Sequence, residues 1–231
     1  MRQYPIQHLS DLRRSIGQSA WAGQATSSDS SAMPASSDWT ALPCAAIDQY
    51  LEGPNTYRPK AEARLARDDQ ALYIRLRVTE KDPLITWQRH QDPVYKDSCL
   101  EFFVQPNPGM SSRYLNFEFN AAGVVLSACG EGRHDRIPLS SADLDTLVIE
   151  PRLSAGSQTG DQSPFWQIVC RIPRTLLEQT CGPIDWQAGH VMMGNFYKCG
   201  DQTAEPHYGC WNLVAKPDFH RPEDFGRLVF A

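Results

Sequence analysis

Nowhere in this 231-residue chain is there a run of the ~20 apolar residues that a membrane-crossing helix requires. A helical span is excluded on that ground, and the expectation is a soluble protein with no membrane partner. Runs of Lys or Arg are missing as well. The 22 basic residues are outnumbered by 27 acidic ones, the formal net charge is −5, and Arg13-Arg14 is too short a pair to grip a phosphate backbone. Nucleic acid is therefore not an expected partner. The chain has no P-loop, no GxGxxG, no HExxH and no GxSxG, which removes the common signatures of phosphate cradles, zinc helices and serine nucleophiles. It shows no repeat of 20 to 50 residues, which argues against a solenoid or propeller.

Seven cysteines form no CxxC pair and no zinc-finger spacing. Free thiols in apolar strands are expected, with a Cys199–Cys210 bridge as the alternative should the protein be exported. The N-terminus has no apolar signal core, because Gln3, Gln7, His8, Ser10 and Asp11 interrupt it. As written the chain is expected in the cytoplasm, or outside the cell if its export signal is missing from this sequence.

Hydrophobic residues make up 41% of the chain, enough for one sizeable core. Residues 1–37 form a compositional zone that ends in Ser27, Ser28, Ser30, Ser31, Ser36 and Ser37. Such a segment cannot bury enough apolar surface to fold alone, so a tail or linker with a short helix near Leu9 to Ile16 is expected, followed by one domain over 38–231. In the domain, Leu72, Ile74, Leu76 and Val78 alternate with Tyr73, Arg75 and Arg77 after a turn at Asp68-Asp69-Gln70. That pattern predicts a β-hairpin. Further strands are expected near 124–129, 147–153, 165–172, 191–197 and 227–230, with one short helix after Pro173. Many short strands and little helix predict an all-β, two-sheet sandwich.

The stretch Tyr95 to Gly123 carries the most chemistry. If Leu100, Phe102 and Val104 face the core, Glu101 faces away from it; Leu115, Phe117 and Phe119 do the same for Glu118. A hairpin that pairs Phe102 with Phe117 places Glu101 directly opposite Glu118. Like carboxylates so placed repel and call for a partner or a purpose. One purpose is the acid and base of a glycoside hydrolase, whose carboxyls stand about 5 Å apart for retention or roughly 6.5–9.5 Å for inversion. Another is sugar binding, in which aromatic rings stack on C–H faces while polar groups hold hydroxyls. Tyr95, Trp87 and Trp211 are candidate platforms, whereas Trp39, Trp166 and Trp186 have the stronger claim to the core. The run Lys216 to Gly226 reads either as a self-closed loop or as a site wall.

Five strings in order, LYIRLRVTEKDP (Leu72 to Pro83), YKDSCLEFFVQP (Tyr95 to Pro106), YLNFEFNAAG (Tyr114 to Gly123), GNFYKCGD (Gly194 to Asp201) and PDFHRPEDFG (Pro217 to Gly226), resemble a family 9 carbohydrate-binding module. The resemblance is to the stand-alone branch of a family found attached to xylanases and other glycoside hydrolases, and it covers Trp39 to Phe230. It implies an antiparallel jelly-roll or immunoglobulin-like sandwich, often with structural calcium. It also implies a non-catalytic role in carbohydrate catabolism, with the reducing end of a glucan or xylan held between two rings.

Glu101 matches the family's acid in its DSxE-type strand, and Tyr95 stands where the family pattern has Trp. The second ring is expected at Trp211. Where these modules place a basic residue this chain has Glu118, so compensation is expected from Arg133, Lys198 or His220. The expected ligand-binding set is Tyr95, Glu101, Asn116, Glu118, Arg133, Lys198 and Trp211, for a mono-, oligo- or polysaccharide. Two alternatives stand beside it: a glycoside hydrolase using Glu101 and Glu118, and an interaction domain with no sugar site.

Overall fold

The computed structural model describes residues 1–16, 33–52, 56–156 and 163–231. Strands dominate: β1 (Gln3–His8), β2 (Ala45–Ile47), β3 (Gln49–Tyr50), β4 (Ala61–Arg67), β5 (Ala71–Val78), β6 (Cys99–Gln105) and β7 (Tyr114–Asn120) make the first half of the series. It continues with β8 (Val125–Gly130), β9 (Ile137–Pro138), β10 (Val148–Ser154), β11 (Phe165–Pro173), β12 (Val191–Cys199), β13 (Tyr208–Cys210) and β14 (Gly226–Phe230). The helices are short: α1 (Leu9–Ile16), α2 (Ser36–Ala41), α3 (Ser141–Leu144) and α4 (Arg174–Cys181).

Local chemistry explains the turns. Asp68 closes the β4–β5 hairpin by accepting from the backbone N–H groups of Gln70 and Ala71, at 2.8 Å each, and from the Tyr73 hydroxyl at 2.7 Å. In β5 the apolar set Leu72, Ile74, Leu76 and Val78 is fully buried and points into the core. Ser140 caps α3 by accepting from the Asp143 N–H, and Asp143 returns the bond to Ser140.

The strands follow one pairing path, β10-β11-β5-β4-β1-β14-β12-β6-β7-β8-β9, with β2, β3 and β13 attached at its sides. The two halves of this path, divided at β1, both send side chains into the main apolar cluster. One half supplies Leu65, Ile74, Leu76, Trp166 and Ile168, and the other supplies Leu100, Phe102, Leu115, Phe117 and Phe196. Phe102 lies between Phe117 and Phe196, with ring centroids 6.4 and 5.4 Å away. Trp39, Trp166 and Trp186 are all buried, as their sequence settings suggested.

The N-terminal residues depart from expectation. Instead of a tail, Gln3 to Ile6 pair in parallel with Arg227 to Phe230 of β14, and Gln7 and His8 pair in parallel with Ala66 and Arg67 of β4. β1 thus joins the two halves, and the sheet is not antiparallel throughout. Tyr4 and Ile6 enter the core, and the Tyr4 hydroxyl donates to the Pro43 carbonyl at 2.7 Å. Pro5 disguises the strand in the sequence; it is tolerated because residues 3–6 pair on one side alone. The helix expected near Leu9 to Ile16 is α1. Ser27, Ser28, Ser30 and Ser31 lie outside the described residues, and Ser36 and Ser37 open α2.

If β1 is integral, Ile6→Ala removes a fully buried side chain and costs about 2–5 kcal/mol in urea unfolding. A loss below about 0.5 kcal/mol, the scale of an exposed substitution, would return β1 to the status of a tail.

Candidate functional site

The outer face of β12, β6 and β7 carries the site. Phe102 pairs with Phe117, and Glu101 stands directly opposite Glu118, the register expected from the alternation. Both carboxylates are 3% exposed. They form part of the floor of a cavity of about 560 Å³ whose lining includes Tyr95, Arg136, Tyr208 and Phe219.

Three segments build the walls. The turn at Val94–Lys96 brings in Tyr95, and Asp97 fixes the loop in front of it: its carboxylate accepts from the N–H groups of Thr86 and Trp87 and from Asn120 Nδ2, at 2.9–3.1 Å. The segment after β8 brings in Arg133 and Arg136. Gly130 lets that segment approach, since a Cβ there would lie 2.7 Å from Arg136 Cα. The loop Pro217 to Phe225 forms the third wall, where the Tyr197 hydroxyl donates to the Phe219 carbonyl at 3.0 Å and Arg133 pairs with Asp218 at 2.9 Å. The Phe219 ring stacks on Tyr197 with centroids 4.0 Å apart, and Tyr208 meets it edge-on at 6.3 Å. The self-closed loop and the site wall are therefore one structure.

Electrostatics follow from burial. Loss of solvation is the largest force raising both carboxyls above the ordinary range; Glu118 is raised further by Glu101, and Arg136 opposes the rise in both. Arg136 works through a relay: its Nη1 donates to Asn116 Oδ1 at 2.7 Å, and Asn116 Nδ2 donates to Glu118 Oε1 at 3.0 Å. Glu101 is held by thiols, accepting from Cys199 Sγ at 3.0 Å and from Cys99 Sγ at 3.9 Å. His220, half-buried, is pushed down to about 3, first by burial and then by Arg136 and Arg133. It is therefore neutral at pH 7.

Of the residues singled out from sequence, Tyr95, Glu101, Glu118 and Arg133 line the cavity, and Asn116 lies beneath it in the relay. Lys198 does not join them. It faces the same way as Leu100, into the interior, where Nζ sits 3.3 Å from Glu80 Oε1 and the Trp166 indole donates to Glu80 Oε2 at 2.7 Å. Trp211 is likewise in the core, 5.3 Å from Phe196 between ring centroids and pressed against Gly226, so it is no platform. Phe219 occupies the wall where a second ring was expected. Arg136, Tyr208 and Asp201 also line the cavity. Arg136 had a readable signal, the Arg133–Arg136 spacing after β8; Phe219 had one in PDFHRP.

No Cys199–Cys210 bridge is present: both thiols are free, and Cys210 donates to the Gln49 carbonyl at 3.2 Å. The acidic side chains of Asp68 and Asp82, the kind of group that could hold the calcium implied by the resemblance, are already engaged. Asp68 is committed to its turn, and Asp82 is exposed and paired with Lys81. No helix among the described residues is long and apolar enough to cross a membrane.

Residues 31–230 match carbohydrate-binding family 9. The chain belongs to this family. It is similar to an "Extracellular protein" of Arthroderma benhamiae, 24% identical over 187 residues that cover 75% of this chain and 79% of that one. Among solved structures it resembles a protein of Bacteroides uniformis proposed to bind carbohydrate, at 29% identity and a TM-score of 0.66 over 84% of this chain and 88% of the other. A family 9 module of Caldicellulosiruptor kristjanssonii in complex with glucose aligns at a TM-score of 0.61 and 15% identity, covering 100% of this chain and 96% of its own. Its complex with cellotriose gives 0.61 at 14%, covering 99% and 93%. At these two identities the fold is what is shared. Carbohydrate binding is the function that membership assigns.

Two stability measurements test this geometry. Lys198→Met strands Glu80 in the core and costs roughly 3–5 kcal/mol, whereas adding Glu80→Gln recovers part of the loss because the amide oxygen still accepts from Trp166. Equal stability of the single variant and the native chain would show that Lys198 is not in the interior pair.

The second concerns pH. His220 is surrounded by Arg133, Arg136, His134, Asp218 and Tyr114, and its folded pKa lies below the unfolded value near 6.5, so its contribution to stability is lost as pH falls from about 6.5 towards 3. The raised carboxyls act with the opposite sign, losing their contribution as pH rises. The difference between the native chain and His220→Gln isolates the histidine: the variant has the flatter acid limb in urea midpoints. Parallel curves would mean that His220 is solvated.

Proposed function

We propose that this protein is a non-catalytic saccharide-binding module that holds a short glucan or xylan end in the cavity above Glu101 and Glu118. The observation that carries the reading is the combination of apolar rings on the walls, Tyr95 and Phe219, with hydrogen-bonding groups on the floor. A pyranose offers the matching surfaces, flat C–H faces and a rim of hydroxyls. The glucose and cellotriose bound by the Caldicellulosiruptor module make gluco-configured sugars the first probes.

The two packed halves correspond in this reading to the family's two-sheet sandwich, and the role is support of carbohydrate catabolism. Glu101 acts as an acceptor for a sugar hydroxyl. Glu118, which remains protonated more readily because it is both buried and beside Glu101, donates one. A pair able to accept and donate suits a ring with vicinal hydroxyls. Arg136, steadied by Asn116, supplies the cationic donor that the strand position of Glu118 lacks.

Calorimetry with glucose, cellotriose and xylo-oligosaccharides tests the site. Tyr95→Ala and Phe219→Ala are each expected to weaken binding about tenfold, or 1.4 kcal/mol, while Trp211→Phe leaves it unchanged. Undamaged binding by both alanine variants would remove the sugar from this cavity. Incubation with the same oligosaccharides should release no product; release that Glu101→Gln abolishes and Tyr95→Ala does not would assign the carboxylates to hydrolysis.

A further inference from the structure

Below the saccharide cavity, Cys99 of β6 and Cys199 of β12 are directly opposed across the pair, and Glu101 lies two residues along β6 on the same face. The two sulfurs and a Glu101 oxygen all lie within 4.8 Å of one another. The individual contacts are 3.0 Å from Cys199 Sγ to Glu101 Oε1 and 3.9 Å from Cys99 Sγ to the same oxygen.

Zinc bound tetrahedrally at about 2.3 Å to sulfur and about 2.0–2.2 Å to oxygen sets its ligand atoms roughly 3.5–3.8 Å apart. The three atoms here bracket that spacing, so shifts of under about 1 Å would centre them on one ion. The set is also chemically selective. Two thiolates and one carboxylate are soft enough to favour zinc and unsuited to calcium or magnesium.

The state of Glu101 points independently to a cationic ligand. It is 3% exposed, makes no ion pair among the described residues, and accepts its hydrogen bonds from thiols, which are weak donors. A carboxylate so placed is costly unless a positive charge meets it. Glu101 and Cys199 also line the cavity, so an ion held by these three side chains keeps its fourth position open to water or to a ligand hydroxyl.

We propose that Cys99, Cys199 and Glu101 form a site for a thiophilic divalent cation of the zinc type, with its fourth coordination position opening into the cavity. Zinc entry releases the two thiol protons to solvent and leaves two thiolates and one carboxylate on the ion. The resulting charge of −1 is offset across the cavity by Arg136. The site shares Glu101 with the saccharide reading, but it can be loaded and tested with no sugar present.

The test is anaerobic titration of the reduced full chain with Co²⁺ and then Zn²⁺, with no saccharide present. One equivalent of cobalt is expected to give a thiolate charge-transfer band in the near ultraviolet and intense visible d–d bands of tetrahedral cobalt, both abolished by one equivalent of zinc. Cys99→Ser and Cys199→Ser lose the signature and Glu101→Gln weakens it. Tyr95→Ala keeps it, as does Cys129→Ser, which breaks the other close thiol pair, Cys129 and Cys181 at 3.7 Å.

Zinc should also raise the melting temperature of the native chain and of Cys129→Ser, and not that of Cys99→Ser. Should the serine variants fail to fold, the isosteric Glu101→Gln and the native chain still decide the matter. No stoichiometric band in the native protein overturns the proposal. So does a band that survives in the cysteine variants, or a Cys99–Cys199 disulfide whose reduction restores no metal binding.

Discussion

Burying Glu101 beside Glu118 carries a cost in lost hydration and in mutual repulsion, and the layout of the outer face follows from how that cost is met. No cation touches either carboxylate among the described residues. Instead Asn116 relays Arg136 to Glu118, two thiols surround Glu101, and three loop segments shut out most of the water. The polar floor is thereby kept short of complete satisfaction. That is the condition under which a hydroxyl-bearing ligand gains most from entering, because it supplies donors and acceptors the protein withholds.

The inner face solves the same problem in another way. Lys198 is buried, but it meets Glu80 directly, and Glu80 also takes the Trp166 indole hydrogen. A closed set of this kind ties β12 to β11 and has nothing left to offer a ligand. Successive residues of β12, Tyr197, Lys198 and Cys199, alternate between the two environments, so one strand contributes to a sealed interior pair and to an open pocket. Charge alone does not mark a site; whether its partners are already present does.

Much of this was legible in the sequence because strand alternation fixes facing. The opposition of Glu101 and Glu118, the inward Phe102 and Phe117 and the β4–β5 turn at Asp68 all followed from period-two patterning and turn chemistry. What patterning could not supply was the destination of residues near strand ends and in loops. Lys198, expected as a counter-charge, is sent inward by its register with Leu100. Trp211 follows a three-residue strand, where alternation is too short to orient a ring, and the absence of a side chain on Gly226 draws it into the core. Phe219 and Arg136 sit in loops whose path depends on contacts far away in the chain. β1 was hidden by its six-residue length, by Pro5 and by the serine-rich zone that follows.

The seam made by β1 has a kinetic consequence. Gln3 pairs with Arg227, so β1 can join the two halves only once a partner far away along the chain is in place. Until Gly226 to Phe230 docks, β1 and β12 each lack a neighbour they have in the finished fold, and such unpaired edges recruit other chains. Pairing across so long a separation has to meet a loop-closure cost before its contacts stabilise the fold, which slows folding. Its vulnerable state is the one in which the other strands are paired and this seam still stands open.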